Sequence, residues 1–221
     1  MTLVIDNKRP FRFVKSGRSL CLTLILFCLS FSLSSQNIWQ QQRSAQGIEA
    51  VTINGNQIFN IEISTSKTTE IKATSIVDGA YQNDFQVLLK AQDKTLYLSL
   101  EKLSLLDIPD DKRNAHKVIA ATLKLEIPEE LRLNILSDIA SVNIDGAYKS
   151  LYIELLRGAC YVVGTAQSAT INTIDGDIVV TTTNGTFDAH SNHGEIKVPH
   201  NDKASSLWTL TSINGDISVK Q

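Results

Sequence analysis

Two stretches decide the fold: "TIDGDIVV" at Thr173–Val180 and "SINGDISV" at Ser212–Val219. Each sets Asp or Asn before a glycine, an acid after it, and an apolar residue two positions on. Such a turn can be a metal loop, a phosphate cradle or a structural corner. The surrounding periodicity favours the corner. Ile144, Ile153, Val162, Ile171 and Val180 recur every nine residues, all β-branched and apolar. The series then slips by two; Phe187 and Ile196 resume the interval, and Trp208 and Ile217 repeat it beyond a polar loop. Gly176, Gly185 and Gly194 keep a related beat, in "IDGDIVV", "TNGTFDA" and "NHGEIKV".

Nine residues make a short strand plus a tight corner. Glycine suits a corner because it adopts positive φ without a Cβ penalty, and Asn or Asp before it tolerates the same region. One such unit cannot bury its apolar side, whereas stacked units can. Two units give a coil of about 18 residues, so the expected fold is all-β, a β-solenoid or parallel β-helix-like stack of short strands. Hairpins in a conventional sandwich are the alternative, since Asn-Gly and Asp-Gly also make those turns. Threonines in "VVTTTNGT" fit an outer face. The N-terminal strands are expected to cap one end of the stack and Lys220-Gln221 the other.

Upstream, Gly47–Leu100 carries alternating runs. In "FNIEIS", Phe59, Ile61 and Ile63 share a face; in "TLYLSL", Leu96, Leu98 and Leu100 do. β-branched and aromatic residues dominate, as strands prefer. "VIAATLKLEIP" sets Ala121, Leu123, Leu125 and Ile127 on one side before Pro128 ends the ladder. Residues 47–221 therefore read as one β domain, with a charged loop insertion at 103–117, "LSLLDIPDDKRNAHK". Residues 35–46, "SQNIWQQQRSAQ", read as a flexible lead-in or a first edge element.

Residues 1–34 carry five basic residues, then the apolar run "SLCLTLILFCLSFSL", then small residues. That order is the pattern of a secretory signal peptide, with cleavage expected after Ser34. The apolar run is short for a membrane span, so membrane contact is expected only through the leader if it stays uncleaved. The leader removes five of 21 Lys and Arg and one of 23 Asp and Glu, leaving a formal charge of about −6. Mild acidity argues against nucleic acid or an anionic membrane as partner. Cys21 and Cys28 leave with the leader, so Cys160 in "GACYVVG" stands alone, without a disulfide framework. It reads as a buried thiol.

The chain resembles the bacterial putative adhesin families of unknown function, the DUF4097 type and the related head GIN domain of putative auto-transporter adhesins. The resemblance rests on "VTINGNQIFNIEI", "ATLKLEIPEELRLNI" with its strand-then-proline element, "VNIDGAYKSLYIEL" and the two corner motifs, and it spans Gly47 to Lys220. It departs at "LLRGACYVVGTAQSA", where the corners lose their Asp/Asn-Gly form. The resemblance implies a parallel β-coil on the envelope or cell surface and transfers no catalytic residues.

The acids, histidines and tyrosines form no familiar catalytic or metal-binding motif. Asp138, Asp145, Asp175, Asp177, Asp188, Glu195 and Asp216 cluster in the coil region, mostly beside corners. A glycosidase needs two carboxylates about 5–10 Å apart in a groove. Calcium needs six to eight oxygens, and the nonapeptide calcium repeat and the EF-hand spacing are both absent. His190, His193 and His200 read as surface histidines, and Tyr148, Tyr152 and Tyr161 as too scattered for a sugar-stacking platform. No catalytic, cofactor-binding or metal-ligating residue is assigned. The expected function is an exported, non-catalytic envelope or surface module of periplasm or outer surface, binding an extended glycan or an envelope protein. A polysaccharide hydrolase or lyase on the same scaffold, and a structural or regulatory protein of envelope assembly, are the alternatives. A concave acid-lined groove would favour the enzyme, and a smooth threonine-rich face the binder.

Overall fold

The 18-residue coil inferred above is visible directly in the strand register. In the computed structural model, which describes residues 37–78, 85–103, 120–199 and 205–221, Val142 lies beside Cys160 and Cys160 beside Ile178, while Ile153 lies beside Ile171. The described residues form β1 (Asn37–Ser44), β2 (Ala50–Asn54), β3 (Asn60–Ser66), β4 (Glu70–Asp78), β5 (Phe85–Gln92), β6 (Thr95–Lys102), β7 (Ala120–Pro128) and β8 (Arg132–Ser137). The long strands β9 (Ser141–Arg157) and β10 (Cys160–Asp175) follow, then β11 (Ile178–Thr181), β12 (Thr186–Ser191), β13 (Ile196–Lys197), β14 (Leu207–Ser212) and β15 (Ile217–Lys220).

These strands build two ladders that share β9 and β10, whose first halves belong to one ladder and second halves to the other. The first ladder runs β1-β4-β7-β3-β9-β10-β11-β15-β13. The second runs β5-β6-β2-β8-β9-β10-β14-β12. Pairing is parallel throughout except at β1–β4, β4–β7 and β5–β6. A rung is one strand of the second ladder followed by one of the first. The arrangement is all-β, short-stranded, mixed and solenoid-like.

Alternation decides what faces inward. On the first ladder, Leu123, Ile61, Val142, Cys160, Ile178 and Ile217 form one buried column, and Leu125, Ile63, Ile144, Val162, Val180 and Val219 the next. On the second, Leu96, Val51, Leu133, Leu151, Ala169 and Trp208 form a third column, and Leu98, Ile53, Ile135, Ile153, Ile171 and Leu210 a fourth. All belong to one continuous apolar cluster. Each fully buried branched side chain contributes roughly 1.5–3 kcal/mol, so a rung with four of them stabilises its neighbours on both sides.

Several expectations change. Residues 35–46 are not a flexible lead-in over most of their length: Asn37–Ser44 is β1, the edge-strand alternative, with Trp39 packed against the core. Phe59 is 42 % exposed, because the chain turns so that Ile58 enters the core instead. The segment whose corners lack the Asp/Asn-Gly form, "LLRGACYVVGTAQSA", nevertheless keeps the register: β9 and β10 stay 18 residues apart across its whole length. Lys220-Gln221 does not close the stack, because β15 lies between β11 and β13. The stack ends instead on β12 and β13, which is why Ile196 is exposed while Ile144, Ile153 and Ile171 are buried. At the opposite end the antiparallel strands β1, β4 and β5 do cover the parallel ones. The insertion at 103–117 lies, beyond Leu103, outside the described residues, as do residues 1–34 and His200.

Candidate functional site

The outer surface of the first ladder carries a shallow depression of about 750 Å³. Strand alternation places its side chains in two rows running across the rungs. One is Lys72, Glu126, Ser64, Asp145 and Val163; the other is Thr74, Lys124, Glu62, Asn143 and Tyr161. Charge sits at the β4–β7–β3 end. Tyr161 and Val163, 43 % and 52 % exposed, make the β10 end apolar.

Four of the five charges in this depression are mutually engaged, and the fifth, Asp145, is exposed on β9. Lys124 Nζ lies 2.8 Å from Glu62 Oε2, and Lys72 Nζ 3.3 Å from Glu126 Oε2. Ser66 Oγ donates to Glu126 Oε1 at 2.8 Å, and Asn60 Nδ2 to Glu62 Oε1 at 2.7 Å. Lys124 holds the Glu62 carboxyl below the usual range, outweighing the opposing effect of burial. Ser66, then Lys72, do the same for Glu126. A general acid for glycoside cleavage needs its pKa raised so that it keeps a proton near neutrality. These two carboxyls are shifted the other way.

Asp138, Asp175, Asp177, Glu195 and Asp216 sit apart from this surface, at the corner between the second and first ladders. Asp177 Oδ1 accepts the Asp216 backbone N–H at 2.9 Å, and Asp216 Oδ1 accepts that of Glu195 at 2.7 Å. Asp138 Oδ1 accepts the Gln57 N–H, and Asp175 Oδ1 accepts from Asn214 Nδ2 at 2.6 Å. These carboxylates link one rung to the next. Glu195 also pairs with Lys197 at 2.8 Å. Asp188 lies elsewhere, on the outer row of β12. Among the described residues no group of three or more His, Cys, Asp and Glu side chains is placed to hold a metal. His190 is exposed and bonded to Asn192 Oδ1, and His193 is exposed in the corner column.

Gly176 and Gly215 serve for space rather than for backbone freedom. Gly176 and Gly215 are not among the positive-φ residues. A Cβ on Gly176 would stand 2.0 Å from the Gly158 carbonyl oxygen, and one on Gly215 2.0 Å from that of Gly176. Gly185, expected to share their beat, lies outside this column against Phe187 and Trp208.

One structural residue type escaped the sequence reading: the hydroxyl three positions before the corner. Ser212 Oγ accepts the Gly215 N–H at 2.8 Å and reaches the Gly176 carbonyl, to which Thr173 Oγ1 also donates at 2.7 Å. Ser191 repeats the arrangement with Gly194 and Gly215, and Ser137 with Ala140 and Gly55. Ser137, Thr173 and Ser212 are buried. The pattern, Ser or Thr followed three later by Gly or Ala, was present in "TIDG", "SNHG", "SING" and "SDIA". Its buried hydroxyls satisfy corner backbone groups that water cannot reach.

The tyrosines divide as expected for a scattered set. Tyr148 is buried, its hydroxyl donating to the Asp145 carbonyl, and burial pushes its ionisation up. Tyr152 lies on the outer second ladder bonded to Glu154, and Tyr161 on the outer first ladder. Cys160 is fully buried, its thiol pushed up to about 12 by desolvation. The outer second ladder carries Thr52, Asn134, Tyr152, Thr170 and Thr209 along one row. Of the threonines expected on an outer face in "VVTTTNGT", Thr182 is instead buried.

The fold is similar to that of a putative cell adhesion protein from Clostridium sporogenes, with a TM-score of 0.61 and 14% identity over 85% of this chain and 100% of that one. A putative adhesin from Bacteroides fragilis matches with a TM-score of 0.37 and 13% identity, covering 84% of this chain and 98% of that one. A putative adhesin from Parabacteroides distasonis matches at 0.31 and 10%, covering 84% and 98%. Neither of these two carries weight for the fold. No family model matches the chain, and no curated protein does. The likeness to the Clostridium protein is one of fold: an all-β stack of short strands.

Proposed function

We propose that the chain is an exported, non-catalytic module of the cell envelope or surface that binds an extended glycan or protein across the outer face of the first ladder. It belongs, in this reading, with the putative adhesins of the DUF4097 and head GIN type. Residues 1–34 are its removable leader, and 47–221 its binding domain with a loop insertion at 103–117. The observation that carries the proposal is the state of the depression: Glu62 and Glu126 are both clasped by lysine and held ionised, beside an exposed Tyr161 and Val163. Such a surface is already ordered, and its one charge outside the two lysine pairs is Asp145. Ordered ladders lose little conformational freedom on binding, which favours long partners that touch several rungs. Paired charges, together with the Asn143 amide, offer fixed donors and acceptors, and the pairing leaves only the Asp145 carboxylate uncompensated. That suits a neutral, hydroxyl-rich or peptide-like chain.

The test has two arms. Fractionation and surface protease shaving locate the protein, and an array of glycans and matrix proteins, run with and without calcium, reads binding. Export together with a hit weakened at least tenfold by Tyr161→Ala, with little dependence on salt, supports the reading. Turnover of a bound polysaccharide abolished by Glu62→Gln or Glu126→Gln would replace it with the hydrolase.

A further inference from the structure

The two ends of the stack depart from chain order. At the C-terminal end β14–β15 is inserted between β10–β11 and β12–β13, so the last rung in sequence is not the last in space. Three observations show that these rungs share one register, so that the sequential order is also open to the chain. First, every inward position of β12–β13 stands 18 residues beyond its counterpart in β10–β11: Ala169 and Phe187, Ile171 and Ala189, Thr173 and Ser191, Ile178 and Ile196. That is the spacing with which β10 stacks directly on β9. Second, Val180 to Phe187 is seven residues, as are Ile144 to Leu151 and Val162 to Ala169. The latter two links each advance one rung, whereas Val180 to Phe187 spans two. Third, the corner glycines Gly176, Gly194 and Gly215 present the same carbonyl to whichever follows.

Side-chain size separates the two orders. The inner slot holds Trp208, Leu210, Ile217 and Val219, all buried, while the end rung offers Phe187, Ala189, Ile196 and Val198, so the difference is Trp for Phe and Leu for Ala. Placing the larger rung inside buries more apolar surface and leaves at the edge a β13 of only two residues. A short, charged edge resists strand addition. The preference is opposed by the Trp208 indole N–H, which has no hydrogen-bond partner among the described residues. An unpaired buried donor is costly.

We infer that the C-terminal coils form a rung-order switch, in which β12–β13 and β14–β15 exchange places and Trp208 holds the observed order. The exchange rewrites the outer second ladder. In the observed order Thr170 lies beside Thr209 and Asp188 beyond it; in the sequential order Asp188 lies between the two threonines. It also turns the longer β14–β15 edge outward. This inference stands independently of the proposed binding function.

Engineered cysteine pairs in the full-length chain distinguish the orders. Adjacent strands stand about 4.8 Å apart, inside the disulfide range, and alternate strands about twice that, outside it. Thr170→Cys with Thr209→Cys is expected to oxidise in the native background, and Thr170→Cys with Asp188→Cys is not, as mapped by mass spectrometry of proteolytic peptides. Adding Trp208→Ala, or Ala189→Leu to enlarge the end rung, is expected to raise the 170–188 disulfide at least tenfold. Ala189→Leu adds bulk at the edge and keeps the test decisive should Trp208→Ala fail to fold. No rise in a folded Ala189→Leu protein, or equal formation of both disulfides in the native background, overturns the switch.

Discussion

The middle of the stack and its ends obey different rules. From β8 to β11 the chain winds in order, each coil 18 residues beyond the last. At the N-terminal end β2–β3 is slotted between β6–β7 and β8–β9, and at the C-terminal end β14–β15 is slotted between β10–β11 and β12–β13. The two kinds of rung present the same columns of inward residues. The comparison therefore separates two questions. Periodicity dictates which side chains face inward; it does not dictate which rung lies next to which, because identical columns fit in either order. At the C-terminal end, side-chain size and edge exposure separate the two orders.

The largest effect should come from the corner column. Gly176→Ala in the middle places a Cβ against a backbone oxygen at 2.0 Å, with fixed rungs on both sides. The expected cost in urea denaturation is on the order of 4 kcal/mol or more. Gly194→Ala meets the Gly215 oxygen at the same 2.0 Å but lies on the terminal rung. That rung can shift, so the cost should be less than half, in keeping with the lower local stability of chain ends. Equal costs would break the distinction between middle and end.

Next comes Trp208→Ala, expected to cost about 3–5 kcal/mol by the same measurement. Phe187→Ala, on the half-buried end rung, should cost clearly less. A reversed ranking would mean that β12–β13 lies inside in solution.

A pH titration of stability isolates the middle. The Cys160 thiol is moved from its ordinary value near 9.0 to about 12. Between those values the unfolded chain loses the proton and the folded chain keeps it, so stability falls as pH rises through this window. The loss should be about 2 kcal/mol at pH 10.5 and disappear in Cys160→Ala. An unchanged slope in that variant refutes the assignment.

The hydroxyl corners give a smaller effect. Ser212→Ala leaves the buried Gly215 N–H without its acceptor, a cost of about 1–2 kcal/mol. Ser191→Ala on the end rung should cost less. Smallest of all, Glu126→Gln on the open face should leave the melting temperature within error, because exposed ion pairs add little.

Much of this molecule was legible beforehand for a simple reason: alternation and a fixed repeat are local properties of a strand-forming chain. Leu123, Leu125 and Ile127 announced β7, and Ile144, Ile153 and Ile171 announced the inward columns. The corner hydroxyls were harder to see. Ser and Thr three positions before glycine resemble ordinary solvated hydroxyls until the neighbouring rung's carbonyl is placed beside them. The irregular look of "LLRGACYVVGTAQSA" misled for the same reason in reverse. Leu155 replaces the hydroxyl there, yet Gly158 and Gly164, at φ of 112° and 138°, still turn the chain. The depression on the first ladder was illegible from sequence, since it joins Lys72, Glu126, Glu62 and Tyr161 from four different strands.

By itself the sequence determined that strands would stack, which residues would point inward, and where the chain would bend, because those follow from side-chain period and local sterics. Only the tertiary structure decided the order of the rungs, the burial of Trp208 ahead of Phe187, and the pairing of Glu62 and Glu126 with lysines. Those depend on free-energy differences between whole arrangements that share the same local pattern.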